Sequence, residues 1–106
     1  MAYKYYPNPL EKIVFSPDGP QPQSLFTDGQ VKIIVVGLVA GQKIPVHPEG
    51  LASFQFLEGK GVMNVDGERL PVEPGTVIIA QGGALRGIEA ETQLKFIAVR
   101  ITELAQ

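Results

Sequence analysis

The chain holds little raw material for covalent chemistry. Its 106 residues include one histidine, His47, three serines (Ser16, Ser24 and Ser53) and no cysteine. Without cysteine there is no thiol nucleophile, no disulfide framework, no thiolate ligand for zinc and no redox pair. A serine nucleophile needs a base within reach and a third group to orient that base, and one histidine with three scattered serines supplies almost none of this. Gly59-Lys60-Gly61 reads as a tight turn between strands and lacks the strand-to-helix setting of a phosphate-cradling loop. Eleven acidic and nine basic side chains leave a formal charge of −2, whereas a nucleic-acid groove needs clustered Lys and Arg to meet phosphates. What remains is recognition by a few polar side chains, held in place by the elements around them.

Those elements are strands. Twelve glycines and nine prolines are spread along the chain, a density that breaks helices because proline lacks a donor and glycine loses much backbone entropy on ordering. Hydrophobic residues make up 44% and charged residues 19%, a composition able to form one globular core. Apolar runs between turn signals predict strands over Leu10–Phe15, Ser24–Thr27, Val31–Ala40, Leu51–Glu58, Val62–Val65, Glu68–Val72, Thr76–Ala80 and Thr92–Thr102. Asp66-Gly67 is the dipeptide a two-residue hairpin prefers. No helix is expected. Glu89 and Glu91 are expected in a solvated turn ahead of the last strand. Evenly spaced short strands indicate an all-β sandwich or barrel, here a single domain with a barrel over about residues 24–103 and an N-terminal arm over 1–23.

Several strands are apolar on both faces. In Val31–Ala40 both parities are apolar, Val31, Ile33, Val35 and Val39 against Ile34, Val36 and Leu38. Ile97, Val99 and Ile101 likewise oppose Leu94, Phe96 and Ala98. A strand with one wet face alternates apolar and polar, so a second surface must cover these. A second copy of the chain, packed sheet to sheet as a homodimer, is the expected cover; the competing reading is a cover of the chain's own loops. The tyrosines all lie in the first six residues (Tyr3, Tyr5, Tyr6) and suit either an arm on a partner subunit or a tail on its own barrel. The opening residues have no apolar stretch of signal-peptide length, and no segment reaches the roughly 18 apolar residues of a membrane span. The expected location is cytoplasmic, with no membrane and no nucleic-acid partner.

The stretch from Gly41 to Ala90 resembles the two motifs of the cupin family of small jelly-roll barrels. In the first motif Gly41, His47 and Gly59 fall at the family's positions, Glu49 stands where a second histidine is usual, and Ala52 stands where a glutamate is usual. In the second, Gly75 and Gly83 fit, while Gln81, Arg86 and Ala90 replace the family's proline, histidine and asparagine. The resemblance implies a double-stranded β-helix barrel with a site at its mouth. The metal-binding members hold one divalent ion with the three histidines and the glutamate, of which this chain keeps only His47. Glu49 is a substitute oxygen ligand at best, and a guanidinium at Arg86 repels a divalent ion. No metal or other cofactor is therefore expected.

The same mouth suits an anion. Arg86 presents a planar fork of donors for a carboxylate or phosphate, His47 adds a hydrogen bond, and strand parity puts Phe54 and Phe56 on the cavity face with Ala52, with Ser53 facing away. His47, Glu49, Phe54, Phe56 and Arg86 are thus the candidate ligand-binding residues for a small, acidic molecule such as an organic acid. An ion pair between Arg86 and Glu49 across the mouth is the competing structural role. Three functions follow: a small-molecule-binding barrel with a degenerate metal site, a metal-dependent dioxygenase or isomerase using His47 and Glu49, or a structural dimeric barrel.

Overall fold

The computed structural model describes residues 2–102; Met1 and Glu103, at the expected limits of arm and barrel, lie outside the described residues. Nine strands run in order: β1 (Gln23–Thr27), β2 (Val31–Leu38), β3 (Lys43–Pro48), β4 (Leu51–Glu58), β5 (Gly61–Val65), β6 (Glu68–Val72), β7 (Val77–Ala80), β8 (Leu85–Ala90) and β9 (Leu94–Ile101). They form two antiparallel sheets, one ordered β1-β2-β9-β4-β7 and the other β3-β8-β5-β6. β-Branched and aromatic residues dominate the five-stranded sheet because they pack well on a pleated surface. Its inner face meets Met63, Val72, Ile88 and Ala90 of the second sheet in one core. The fold is the all-β jelly roll that the sequence implies.

Register orders the inner side chains into rows. Leu38 pairs with Leu94, and Val36, Phe96 and Phe56 share the next row. Ile34, Ala98, Phe54 and Ile78 follow, then Lys32, Arg100, Ala52 and Ala80. At the first two rows the core is sealed: Phe56 and Phe96 are buried with ring centroids 5.3 Å apart, and burying each ring fully stabilises by about 1.5–3 kcal/mol. Toward the last row the side chains shrink to alanine and then become charged, so the barrel opens.

The hairpin at Asp66-Gly67 has φ of 48° and 88°, the left-handed pair that matches the twist of the flanking strands. Gly59, a motif glycine, has φ of 87°, and a Cβ there would run into the backbone carbonyl of Gln93. No other residue type fits without moving β9.

Three local expectations change. Leu10–Phe15 is not a strand: Pro9–Lys12 forms a short 3-10 turn, and only Val14 makes a β-bridge, with Gln21. Pro9 suits a first turn because it has no N–H to satisfy, and the Asn8 side chain accepts from the Leu10 N–H at 3.3 Å. Two strands that periodicity does not signal, β3 and β8, flank the mouth. Pro45 and Pro48 obscure β3, and proline is tolerated there because β3 is the edge of its sheet and slips register between Ile44 and His47. Glu89 consequently lies within β8 and not in a turn. It accepts from Asn64 at 2.9 Å and Arg69 at 3.0 Å, and these bonds, Arg69 foremost, hold its carboxyl below the usual glutamate range. Glu91 stays exposed at the following turn.

The N-terminal segment folds back on its own barrel. Tyr6 donates to the Leu25 carbonyl at 2.6 Å. Ile13 and Phe15 lie on Gly37, where a Cβ would come within 2.6 Å of Phe15 Cε1. Val35, two residues before Gly37 on the same face, is fully buried. The far half of the same outer face stays bare: Val77 is 55% exposed and Ile79 65%.

Candidate functional site

A cavity of about 60 Å³ opens at the mouth. Ile34, Ala52, Phe54, Phe96 and Ala98 form its apolar wall, and His47, Glu49, Arg86 and Arg100 stand among its polar lining residues. Its position follows from register. Ala52 and Ala98 stand where the rows below carry phenylalanine, and each missing ring leaves space. Of the five residues expected from sequence, four line the cavity. Phe56 does not: it is one row deeper, fully buried against Phe96.

Arg86 sits opposite His47 in the β3–β8 pairing and is only 3% exposed. Its Nε donates to the Ala84 carbonyl at 3.1 Å and its Nη1 to Gly50 at 2.6 Å. Its Nη2 donates to Glu49 at 3.1 Å and to Gln81 at 2.9 Å. One guanidinium therefore ties the β3–β4 turn to the β7–β8 turn through backbone carbonyls, two of which, Glu49 and Gln81, also accept from the Gly83 and Ala84 N–H groups. The expected side-chain pair between Arg86 and Glu49 is not formed; Arg86 reaches the Glu49 backbone, and the carboxylate turns away.

That carboxylate lies between two other groups, 3.6 Å from His47 Nε2 and 3.7 Å from Arg100 Nη1. His47 Nδ1 is 2.8 Å from the Pro45 carbonyl; a carbonyl only accepts, so Nδ1 carries the proton. Arg100, on β9, is the site residue that motif reading missed. The signal was parity: Leu94, Phe96 and Ala98 face inward, and Arg100 is next in that series. Lys32 pairs with Arg100 in register and lines the adjoining surface hollow with it. The mouth is accordingly cationic, with Glu49 the one acid among the cavity's lining residues.

The residues present do not fit the family's metal. Ala52 has no side-chain donor atom, and Arg86 fills the second motif's histidine position with a permanent cation engaged by carbonyls. No group of three His, Asp or Glu among the described residues is placed to hold an ion. High-affinity sites need three or four oriented donors.

A two-sheet barrel with a small-molecule-sized opening at one end defines the class. No protein-family profile matches the sequence, and no curated protein matches it significantly. Solved structures do. An RmlC-like cupin from Desulfovibrio desulfuricans superposes with a TM-score of 0.82 at 28% identity, over 94% of this chain and 97% of that one. A conserved protein of unknown function from Streptococcus pyogenes gives a TM-score of 0.84 at 21% identity, over 99% and 93%. KdgF from a Halomonas species gives 0.75 at 17%, over 82% of each chain. The chain belongs to the cupin superfamily.

Proposed function

We propose that this protein is a small-molecule-binding cupin barrel whose ligand places a short apolar body in the cavity and a polar head at the Arg100–Glu49–His47 rim. The observation that carries the reading is the cavity itself, left open by Ala52 and Ala98 beneath a cationic mouth. An apolar pocket with a few converging polar groups is the usual form of such a site. Ligand-observed NMR with a panel of small organic acids and their neutral analogues tests it. Binders should appear with the native chain and vanish with Ala98→Leu, which fills the cavity; a panel that never binds, or that binds both proteins alike, refutes the reading. The enzyme alternative would have His47 and Glu49 as its metal donors among the cavity's lining residues.

The barrel acts as a homodimer in this reading. The outer face of β9, β4 and β7 supports it: Ile97, Val99, Ile101, Leu51, Ser53, Gln55, Val77 and Ile79 carry no charge, and Lys95, on the same face of β9, is paired with Glu58 at 3.1 Å, so two identical copies meet there with little like-charge repulsion. Sedimentation velocity at micromolar concentration should show a dimer that Ile79→Lys converts to monomer. A native monomer would sink the idea. Cytoplasmic residence remains part of this proposal; among the described residues no helix is long and apolar enough to cross a membrane.

A further inference from the structure

Resting on the ligand-binding reading above, we infer that the mouth takes a small monocarboxylate with a short branched apolar tail, and that the Glu49 carboxylate is an internal stand-in which the ligand displaces from Arg100.

The Glu49 carboxylate is bracketed, not bonded. Its distances of 3.6 Å to His47 Nε2 and 3.7 Å to Arg100 Nη1 both exceed hydrogen-bond range. His47 does not hold it when neutral, because Nδ1 carries the proton toward Pro45 and Nε2 then presents a lone pair to an oxygen acceptor. Arg100 therefore has a charged neighbour but no hydrogen-bonded one among the described residues, and its side chain is 39% exposed. A planar guanidinium in that condition is a ready partner for a bidentate carboxylate.

Charge points the same way. Arg86, Arg100 and Lys32 surround a mouth with one carboxylate. Arg86 forms no ion pair among the described residues, and its four hydrogen bonds leave one Nη1 N–H without a protein acceptor. A cation so deeply buried beside an apolar cavity strongly favours an anion there.

Volume then limits the ligand. At about 10–15 Å³ for each water-sized occupant, the 60 Å³ cavity takes only a few non-hydrogen atoms. Its lining of Ile34, Ala52, Phe54 and Ala98 selects carbon over a second charge. A short branched acid fits with its carboxylate at the rim; inorganic phosphate has no apolar part for the cavity, and a dicarboxylate would bury a charge.

Isobutyrate and its neutral isostere isobutyramide are the probes, titrated by NMR into the native chain, Glu49→Gln, Arg100→Gln and Ala98→Leu at neutral pH. Both rim variants change half-buried side chains and should remain folded, which the same spectra verify. Glu49→Gln should tighten isobutyrate by about threefold by removing the competing charge. Arg100→Gln should weaken it by about tenfold or more, as expected for a charged hydrogen bond. Isobutyramide should be indifferent to both. If acid and amide bind alike, lose binding together in Ala98→Leu and ignore Glu49→Gln, the stand-in role is overturned while the ligand-binding reading stands. If neither binds the native chain, the monocarboxylate assignment is overturned, and the outcome of the wider panel decides the reading beneath it.

Discussion

The two ends of the barrel are built from the same strands and differ only in which row of side chains the register delivers. At the closed end, Leu38 faces Leu94 and Val36, Phe96 and Phe56 fill the next layer, all buried. Two rows further along the same β2, β4 and β9, the layer is Lys32, Arg100 and Ala52. One end spends its volume on packing and the other leaves it open beneath charge. Stability and the proposed binding are therefore separable along the barrel axis, because a row contributes to the core in proportion to the apolar surface it removes from water.

The comparison can be broken first at the closed end. Phe96→Ala should cost about 3–5 kcal/mol, since a buried ring leaves a hole that close-packed neighbours cannot fill. Urea unfolding followed by circular dichroism measures it; a loss under about 1 kcal/mol would mean that the layer is not sealed. Next in size is Arg86→Ala, expected to cost roughly 2–4 kcal/mol, because four hydrogen bonds from one buried guanidinium are lost at once. The same unfolding experiment checks it, and a neutral result would show that Arg86 is not the clamp described. Arg86 is for this reason a poor probe of the proposed anion binding, whereas Arg100 tests it without disturbing the turns.

At the open end, Ala98→Leu should change stability by less than about 1.5 kcal/mol while removing ligand binding, because the added carbons enter existing space instead of a packed layer. A large destabilisation would show that the cavity is not free to accept them. The smallest effect lies away from the mouth, at Glu89 on β8. Its carboxyl is depressed by Arg69 and Asn64, so its contribution is present above the ordinary glutamate range and is lost as the pH falls through the lower folded value. Stability measured across the acid range should fall more steeply for the native chain than for Glu89→Gln, and parallel curves would remove Glu89 from the account. Asp28, held down by the Gln30 and Val31 N–H groups, follows the same sign and stays in both proteins.

Most of the architecture was legible from local pattern. The strands Leu51–Glu58 and Glu68–Val72 appear with the limits that periodicity implies, and the hairpin between β5 and β6 forms at the dipeptide that demands it. The missed strands share a cause. β3 contains two prolines and β8 contains Gly87, over which Ile44 and Val46 pass so closely that a Cβ would meet the Ile44 carbonyl at 2.8 Å. Both pair across long sequence separation, and such pairing leaves little trace in local periodicity. The second apolar face of Val31–Leu38 was also legible, but its cover was not: the N-terminal segment takes the half over β2 and leaves the half over β7 bare.

By itself the sequence determined the fold class, the inward parity of Ala52 and Phe54, the absence of thiol chemistry and the scarcity of metal donors. These depend on residue type and on a period of two, which any strand imposes on its own side chains. Only the tertiary structure decided that Arg86 is spent on carbonyls, that Glu49 faces Arg100, and that the cavity lies one row above Phe56. Each of those depends on how far one strand slides along another, and register is a property of pairs of strands that no single strand contains.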